Sequence, residues 1–226
     1  MFSIIIPTFN RKNVLRHCIL ALIKQGNENY EVIVCDDGSN DGTEEMINEL
    51  KKQVPFDLLY TFQEKKGFRL AKARNMGIRL AKAEKIVFLD QDVIISPFSL
   101  EQLNKFCFDN KYSCGYKRLM PIQFYEEKIN DDIILNNFSI FDSQYHGMIP
   151  ATLGSFGMIY KKCFDIVGLF DEDFVGWGLE DSELIGRLND NGIKGNSYKI
   201  FGFHVEHEKG IMSKETQALF HAKRKK

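Results

Sequence analysis

Four short apolar runs, Phe2–Ile6, Tyr30–Cys35, Phe56–Phe62 and Ile86–Leu89, each stop at a polar loop, and helix-like stretches separate them. The continuous Ile-Val-Phe-Leu run of the fourth reads as a strand buried on both faces of a parallel sheet, the β-branched first as a buried strand, and the second and third as strands. Between them, Val14, Leu15, Cys18, Ile19, Leu22 and Ile23, then Met46, Ile47 and Leu50, then Leu70, Ala73, Gly77 and Leu80 recur at helical spacing. Strand and helix in strict alternation predict an α/β chain with a mostly parallel, doubly wound sheet, its ligand crevice at the carboxyl ends of the strands. Asn13 is the expected cap of the first helix and Gly26 lies near its end, while Thr43 is the expected cap of the second, with Glu44 and Glu45 in its first turn.

The fourth run ends in Asp90-Gln91-Asp92, where a parallel sheet gathers its ligands. Two like charges this close repel unless a cation or donor offsets them, so the pair points to a metal bound together with an anionic ligand. A solvated turn capping the next helix is the alternative. Beyond Pro97, Leu100–Cys107 reads as helix and Tyr112–Met120 as extended. Residues Pro121–Pro150 show no regular pattern and are expected to form a lid or substrate loop. Leu153–Tyr160 reads as a glycine-punctuated strand and Lys161–Val167 as a short helix. A polar cluster, Phe170–Glu183, leads into a helix with Leu184, Ile185 and Leu188 inward, ended by Asn191-Gly192. A last strand, Tyr198–Phe203, delivers His204-Val205-Glu206-His207.

With 226 residues, 44% of them hydrophobic and 27% charged, the chain suits one globular domain with a substantial core. A net charge of -1 gives no overall electrostatic case for nucleic acid. Five scattered cysteines, odd in number and never in a CxxC pair, argue for reduced thiols. The start, Met1-Phe2-Ser3-Ile4, lacks the basic and long apolar segments of a signal peptide, and no run is long enough to span a membrane. A cytoplasmic protein is therefore expected. The basic cluster His221-Ala222-Lys223-Arg224-Lys225-Lys226 is either a frayed, solvated end or a peripheral contact to anionic lipid at the inner membrane face.

Four segments together carry a family resemblance. Ser3-Ile4-Ile5-Ile6-Pro7-Thr8-Phe9-Asn10-Arg11, Val34-Cys35-Asp36-Asp37-Gly38-Ser39-Asn40-Asp41-Gly42-Thr43, Gly67 through Ala73-Arg74-Asn75-Met76-Gly77-Ile78, and Phe88-Leu89-Asp90-Gln91-Asp92, in this order, resemble glycosyltransferase family 2. In the second half, Gly176-Trp177-Gly178-Leu179-Glu180-Asp181 and His204-Val205-Glu206-His207 are similar to the carboxy-terminal part of β-1,4-galactosyltransferases and of chondroitin-type polymerases. The resemblance leaves Pro121–Pro150 outside it. It implies a GT-A fold, a UDP-sugar or related nucleotide-sugar donor, a divalent cation (Mn²⁺ or Mg²⁺) and inverting transfer to a glycan or glycolipid hydroxyl. Within the single domain, 1–95 would be the nucleotide-sugar-binding half, 96–212 the acceptor-binding and metal-completing half, and 213–226 a basic tail.

Site roles follow from that resemblance, with residue chemistry beside it. Asp36 or Asp37 can accept bonds from a uracil N–H or ribose hydroxyls, and Pro7, Thr8 and Phe9 offer backbone groups and a ring for the base, with Arg11 beside them. Arg74 is the expected partner of the diphosphate, with Arg69 and Lys72 as rivals. The family's division of labour makes Asp92 the metal ligand and Asp90 the residue for ribose or a bound water. His207 would complete the metal site, and His204 stands where galactosyltransferases place a methionine ligand; Mn²⁺ accepts such mixed oxygen and imidazole ligation. Asp181 matches the family's base and Glu180 its acceptor-binding neighbour. Trp177, between Gly176 and Gly178, is either a sugar-stacking platform or a core residue. Leu179, where galactosyltransferases usually carry glycine, and Ser182, where a further acid is common, depart from the pattern beside the acceptor site. Two other readings stay open. One is a sugar nucleotidyltransferase, though Pro7-Thr8-Phe9-Asn10-Arg11 is not a glycine-rich triphosphate loop; the other is a non-catalytic nucleotide-sugar or glycan-binding module.

Overall fold

The structure, a computed structural model, describes residues 1–26, 29–143, 145, 147–208 and 210–224. In chain order the elements are β1 (Phe2–Thr8), α1 (Lys12–Leu22), β2 (Tyr30–Asp36), α2 (Thr43–Leu50), β3 (Asp57–Phe62), α3 (Leu70–Leu80), β4 (Lys85–Leu89) and β5 (Val93–Ile95). They continue with α4 (Ser99–Asn104), β6 (Lys111–Met120), α5 (Ile122–Lys128), α6 (Asp131–Asn136), a 3₁₀ turn (Phe138–Ser143), β7 (Met148–Pro150), α7 (Leu153–Phe156) and β8 (Gly157–Tyr160). Last come α8 (Cys163–Val167), α9 (Glu180–Asp190), β9 (Lys194–Val205) and α10 (Lys214–Arg224).

The strands lie in the order β3-β2-β1-β4-β8-β6-β9-β5, with β7 paired to β6. The first four are parallel; β1, β2 and β4 are buried on both faces, while β3, at the end of the sheet, is only partly covered. The second half mixes directions, since β8 is antiparallel to β4 and to β6, β9 is parallel to β6, and β5 is antiparallel to β9. Alternation along each central strand divides its side chains between two cores. Ile4, Ile6, Val32, Val34, Val87 and Leu89 face Leu15, Ile19 and Ile47 of α1 and α2. Ile5, Ile33, Ile86 and Phe88 face the core that holds Ala71 and Ala73 of α3. Gly77 lets that helix approach: a Cβ there would stand 2.5 Å from Ile5 Cγ2.

Several boundaries differ from the sequence expectation, each for a local reason. Helix α1 is capped by Arg11, not Asn13; the Arg11 carbonyl accepts from Val14 N and Leu15 N at 3.0 and 3.1 Å. Gly42, not Thr43, caps α2, because the Thr43 hydroxyl is turned back onto Asp41. Leu80 is exposed, and the buried face of α3 is Ala71, Ala73, Arg74, Asn75, Gly77 and Ile78. Residues 121–150, far from being irregular, hold α5, α6, the 3₁₀ turn and β7. Asn130 caps α6 through Ile133 N, and Phe138 and Phe141 pack against Phe203. The stretch read as a strand from Leu153 begins as a helical turn, with Ser155 Oγ accepting from Thr152 N at 3.1 Å. The last strand starts at Lys194 and runs through His204.

All five cysteines are buried and unpaired. Among the described residues no helix is long and apolar enough to cross a membrane. The basic cluster is partly engaged: Lys223 Nζ lies 2.7 Å from Asp171 and 2.9 Å from Asp173, and Arg224 Nη1 2.7 Å from Asp190. Lys225 and Lys226 lie outside the described residues.

Candidate functional site

A cavity of about 300 Å³ opens at the carboxyl ends of β1, β2 and β4. Pro7, Thr8, Phe9 and Arg11 line one side, Asp37, Phe68 and Leu70 another, Asp90, Gln91 and Asp92 its floor, and Trp177, His207 and Gly210 its rim. The loops after β1 and β4 are tied together by a residue that sequence reasoning passed over. Gln91 accepts from the Thr8 hydroxyl and from Phe9 N, the latter at 3.3 Å. Its position between two carboxylates was the available signal.

The pair Asp36-Asp37 divides. Asp36 is fully buried, with Oδ1 accepting from Ser39 N at 2.7 Å and Oδ2 from the Tyr60 hydroxyl at 2.8 Å, so it holds the turn and does not line the cavity. Asp37 lines it; Gln63 Nε2 and Arg69 N donate to its two oxygens, each at 2.8 Å. Lys65 Nζ sits 3.2 Å from the Phe9 ring centroid, covering one face of that ring.

Asp92, His204 and His207 converge, each offering one ligand atom within 4.8 Å of the others. Asp92 Oδ2 faces His207 Nε2 at 3.0 Å, and Oδ1 faces His204 Nε2 at 3.6 Å. The strand register explains the meeting, since β5 pairs Val93 with His204 directly beside Asp92. His207 Nδ1 lies 2.6 Å from the Glu208 carbonyl, which fixes the ring and leaves Nε2 toward the carboxylate. Burial opposes ionisation of Asp92, but the His207 hydrogen bond and both imidazoles hold its carboxyl below the ordinary range. The bond to Asp92 raises His207 against the cost of burial, whereas burial lowers His204. Among the described residues, Asp92 Oδ1 and His204 Nδ1 are buried without a hydrogen-bond partner. A carboxylate and two imidazoles with an unsatisfied oxygen among them fit a divalent cation of the Mn²⁺ type.

Arg74, expected at the diphosphate, does not line the cavity. It is 2% exposed, with Nη1 2.8 Å from Glu180 and Nη2 3.2 Å from Asp90. Burial works against its charge, yet Asp90, Glu180 and Asp181 outweigh it and keep its pKa above the usual value. Asp90 is pushed upward by burial, with Arg74 and Lys117 pulling the other way. Glu180 and Asp181 open α9, buried beneath this pair and away from the cavity lining. Gly154 N donates to both Asp181 oxygens, at 3.0 and 3.2 Å. A Cβ on Gly154 would meet Arg74 Cζ at 2.8 Å and Asp181 Oδ1 at 2.9 Å, so this glycine, unmarked by any motif, is where the two charges approach. Gly178, with φ 96°, turns the chain and does not line the cavity. Trp177 is 41% exposed and is no core residue; Gly210 packs against its indole, where a Cβ would lie 2.5 Å from Cγ.

Comparison with known proteins agrees with this geometry. The family model described as Glycosyl transferase family 2 matches residues 3–159, and one described as the N-terminal domain of galactosyltransferase matches residues 137–212. Validoxylamine A glucosyltransferase of Streptomyces hygroscopicus subsp. jinggangensis is 30% identical over 92% of this chain and 56% of its own length. Chondroitin synthase of Escherichia coli is 30% identical over 90% of this chain and 34% of its own length. The chain thus spans about a third to a little over half of these relatives. The crystal structure of GalNAc-T7 with UDP, GalNAc and Mn²⁺ superposes with a TM-score of 0.74 over 100% of this chain and 47% of that one, at 15% identity, a likeness of fold alone. The architecture is the GT-A fold expected from the sequence. With its first four parallel strands and their loops all inside the matched region, the chain belongs to glycosyltransferase family 2.

Proposed function

We propose that this chain transfers a sugar, a hexose or N-acetylhexosamine, from a UDP-sugar to a hydroxyl of a glycan or glycolipid in surface polysaccharide synthesis. Transfer inverts the anomeric centre and depends on Mn²⁺ or Mg²⁺. The observation that carries the reading is the convergence of Asp92, His204 and His207, of which Asp92 and His207 line the cavity that Asp37 and Phe9 also line.

In this reading residues 1–95 hold the nucleotide and residues 96–212 complete the metal site and receive the acceptor. Asp37, already oriented by Gln63 and the Arg69 amide, accepts hydrogen bonds from the nucleoside. Phe9, Pro7 and Thr8 supply the surface against which the base lies. Asp92, His204 and His207 would hold the cation, which when bound supplies charge neutralisation for the departing diphosphate. Arg74 serves as the buried counter-ion that lets Asp90 and Glu180 share a small volume, a role different from the direct phosphate contact expected of it.

Asp181 takes the acceptor proton as the hydroxyl attacks from the face opposite the leaving nucleotide. The Gly154 amide orients its carboxylate while leaving lone pairs for the incoming hydroxyl. Trp177 offers an exposed indole for sugar stacking. The test is donor hydrolysis and transfer with a panel of UDP-sugars, with and without Mn²⁺. Activity that ignores both chelator and Asp92→Asn would sink the metal-dependent mechanism.

A further inference from the structure

Arg11 leaves β1 through a tightly laced turn. Asn10 and Arg11 both adopt left-handed backbones, φ 56° and 60°, conformations that non-glycine residues keep only when their surroundings impose them. The surroundings here are three hydrogen bonds to the loop after β2. Asn10 N donates to Ser39 Oγ at 2.7 Å, Asn40 N to Asn10 Oδ1 at 3.0 Å, and Lys12 N to Asp41 Oδ2 at 2.9 Å. The backbone of Arg11 is thereby held at the cavity wall, while its side chain stays 36% exposed.

That side chain reaches the candidate metal site. Arg11 Nη1 lies 3.7 Å from Asp92 Oδ2, the same oxygen that faces His207 Nε2 at 3.0 Å. A guanidinium and a divalent cation would therefore draw on one carboxylate oxygen. At 3.7 Å and partly exposed, the Arg11–Asp92 contact is loose and readily given up. A guanidinium fork prefers two phosphate oxygens when they are offered.

We propose that Arg11 couples nucleotide to metal: its guanidinium shares the Asp92 carboxylate with the cation and turns from it to the donor diphosphate, so that each ligand raises the affinity of the other. The coupling is reciprocal by linkage. It rests on the proposed metal role of Asp92, His204 and His207.

The experiment counts free Mn²⁺ by electron paramagnetic resonance for the wild-type chain, Arg11→Gln, Arg11→Lys and Asp92→Asn. Each is titrated alone and with saturating UDP, after correction for the Mn²⁺ that UDP itself takes up. Arg11→Gln removes a like charge beside the cation and is expected to bind Mn²⁺ alone roughly tenfold more tightly than wild type. It should also lose most of the enhancement that UDP gives. Arg11→Lys keeps the charge without the fork and is expected to bind Mn²⁺ alone as wild type does while losing part of the enhancement. An Arg11→Gln chain with unchanged affinity for Mn²⁺ alone, or with the full UDP enhancement, overturns the proposal. Asp92→Asn separates the two layers. If it leaves Mn²⁺ binding intact, the metal reading falls and the coupling with it; if it abolishes binding while Arg11→Gln changes nothing, only the coupling falls.

Discussion

Arg74 Nη1 stands 2.8 Å from Glu180 Oε1, so the middle of α3 is joined to the first residue of α9 by a fully buried ion pair. The same guanidinium reaches Asp90 at 3.2 Å, which places three charged residues from α3, α9 and the loop after β4 in contact beneath the cavity. Removing one partner of such a group leaves uncompensated charge in a low-dielectric interior, typically costing about 3–5 kcal/mol. Arg74→Met, which keeps the apolar stem, is therefore expected to lower stability by that amount. Urea unfolding checks it: the midpoint should fall with the slope unchanged. A loss below about 1 kcal/mol would mean that solvent reaches the pair.

A second network lies away from the cavity, where α1 meets α5 and α6. His17 Nδ1 is 2.8 Å from the Tyr125 hydroxyl and Nε2 is 3.3 Å from Asp131, whose carboxylate also holds Arg16 at 2.6 Å. With the imidazole neutral, the Tyr125 hydroxyl donates to Nδ1 and Nε2–H donates to Asp131. Burial depresses the His17 pKa below 6.5, with Asp131 opposing and Arg16 assisting. The unfolded chain therefore takes up a proton near pH 6.5 that the folded chain refuses, and stability falls as the pH drops through that value. Asp131 works in a separate and lower window. Its Arg16 bond lowers its pKa from 3.8, so its contribution persists above 3.8 and disappears as the pH falls through the depressed value. Urea midpoints followed downward from neutral pH should decline less steeply below 6.5 in His17→Phe than in wild type. Equal slopes would assign the acid sensitivity to another group.

Much of this arrangement was written in local pattern. Short apolar runs with polar ends were enough for the parallel half of the sheet, because burial on both faces leaves little room for polar residues inside a strand; Ser3 and Glu31, the buried exceptions, bond each other across β1 and β2. Asp92 and His207, separated by the whole second half of the chain, were legible as partners only through resemblance. What brings them together is the β5–β9 pairing, and no local pattern announces a pairing between residues 93 and 204. Residues 121–150 were illegible because α5 and α6 are only seven and six residues long and the next segment is a 3₁₀ turn packed by Phe138 and Phe141 on Phe203, so periodicity had too few turns to register. Arg74 was misdirected for a related reason: its exposure depends on α9 arriving over it, which the spacing from Arg74 to Glu180 does not reveal.

Leu179, where the galactosyltransferase resemblance leads one to expect glycine, holds a backbone conformation that glycine would adopt more readily. It caps α9 with φ 71°, in the left-handed region where a Cβ costs roughly 1–2 kcal/mol and glycine costs nothing. Glycine in turn loses about 0.5–1 kcal/mol through the greater freedom of the unfolded chain. Leu179→Gly is accordingly expected to be neutral or to stabilise by up to about 1 kcal/mol. Leu179→Val, β-branched and poorly suited to positive φ, should destabilise. Thermal melting of the two variants reads the difference directly, and a destabilised Leu179→Gly would mean that the leucine side chain contributes more by packing than its backbone costs.

Asp181 bears the heaviest chemical claim, and its surroundings allow a clean substitution. Asn is isosteric, and its side-chain oxygen can still accept from the Gly154 amide, so Asp181→Asn should fold normally and keep Arg74 in place beside Glu180. What it loses is the capacity to take a proton. If Asp181 is the base, transfer to an acceptor hydroxyl should fall by about 10²- to 10⁴-fold in kcat. UDP affinity, measured calorimetrically in the presence of Mn²⁺, should change less than twofold, since Asp181 does not line the cavity. Glu180→Gln makes the contrasting case, because it weakens the pair with Arg74 and should cost stability together with activity. A normal rate in Asp181→Asn would move the base elsewhere. A parallel loss of rate and UDP affinity would instead mark Asp181 as part of the frame that shapes the nucleotide site.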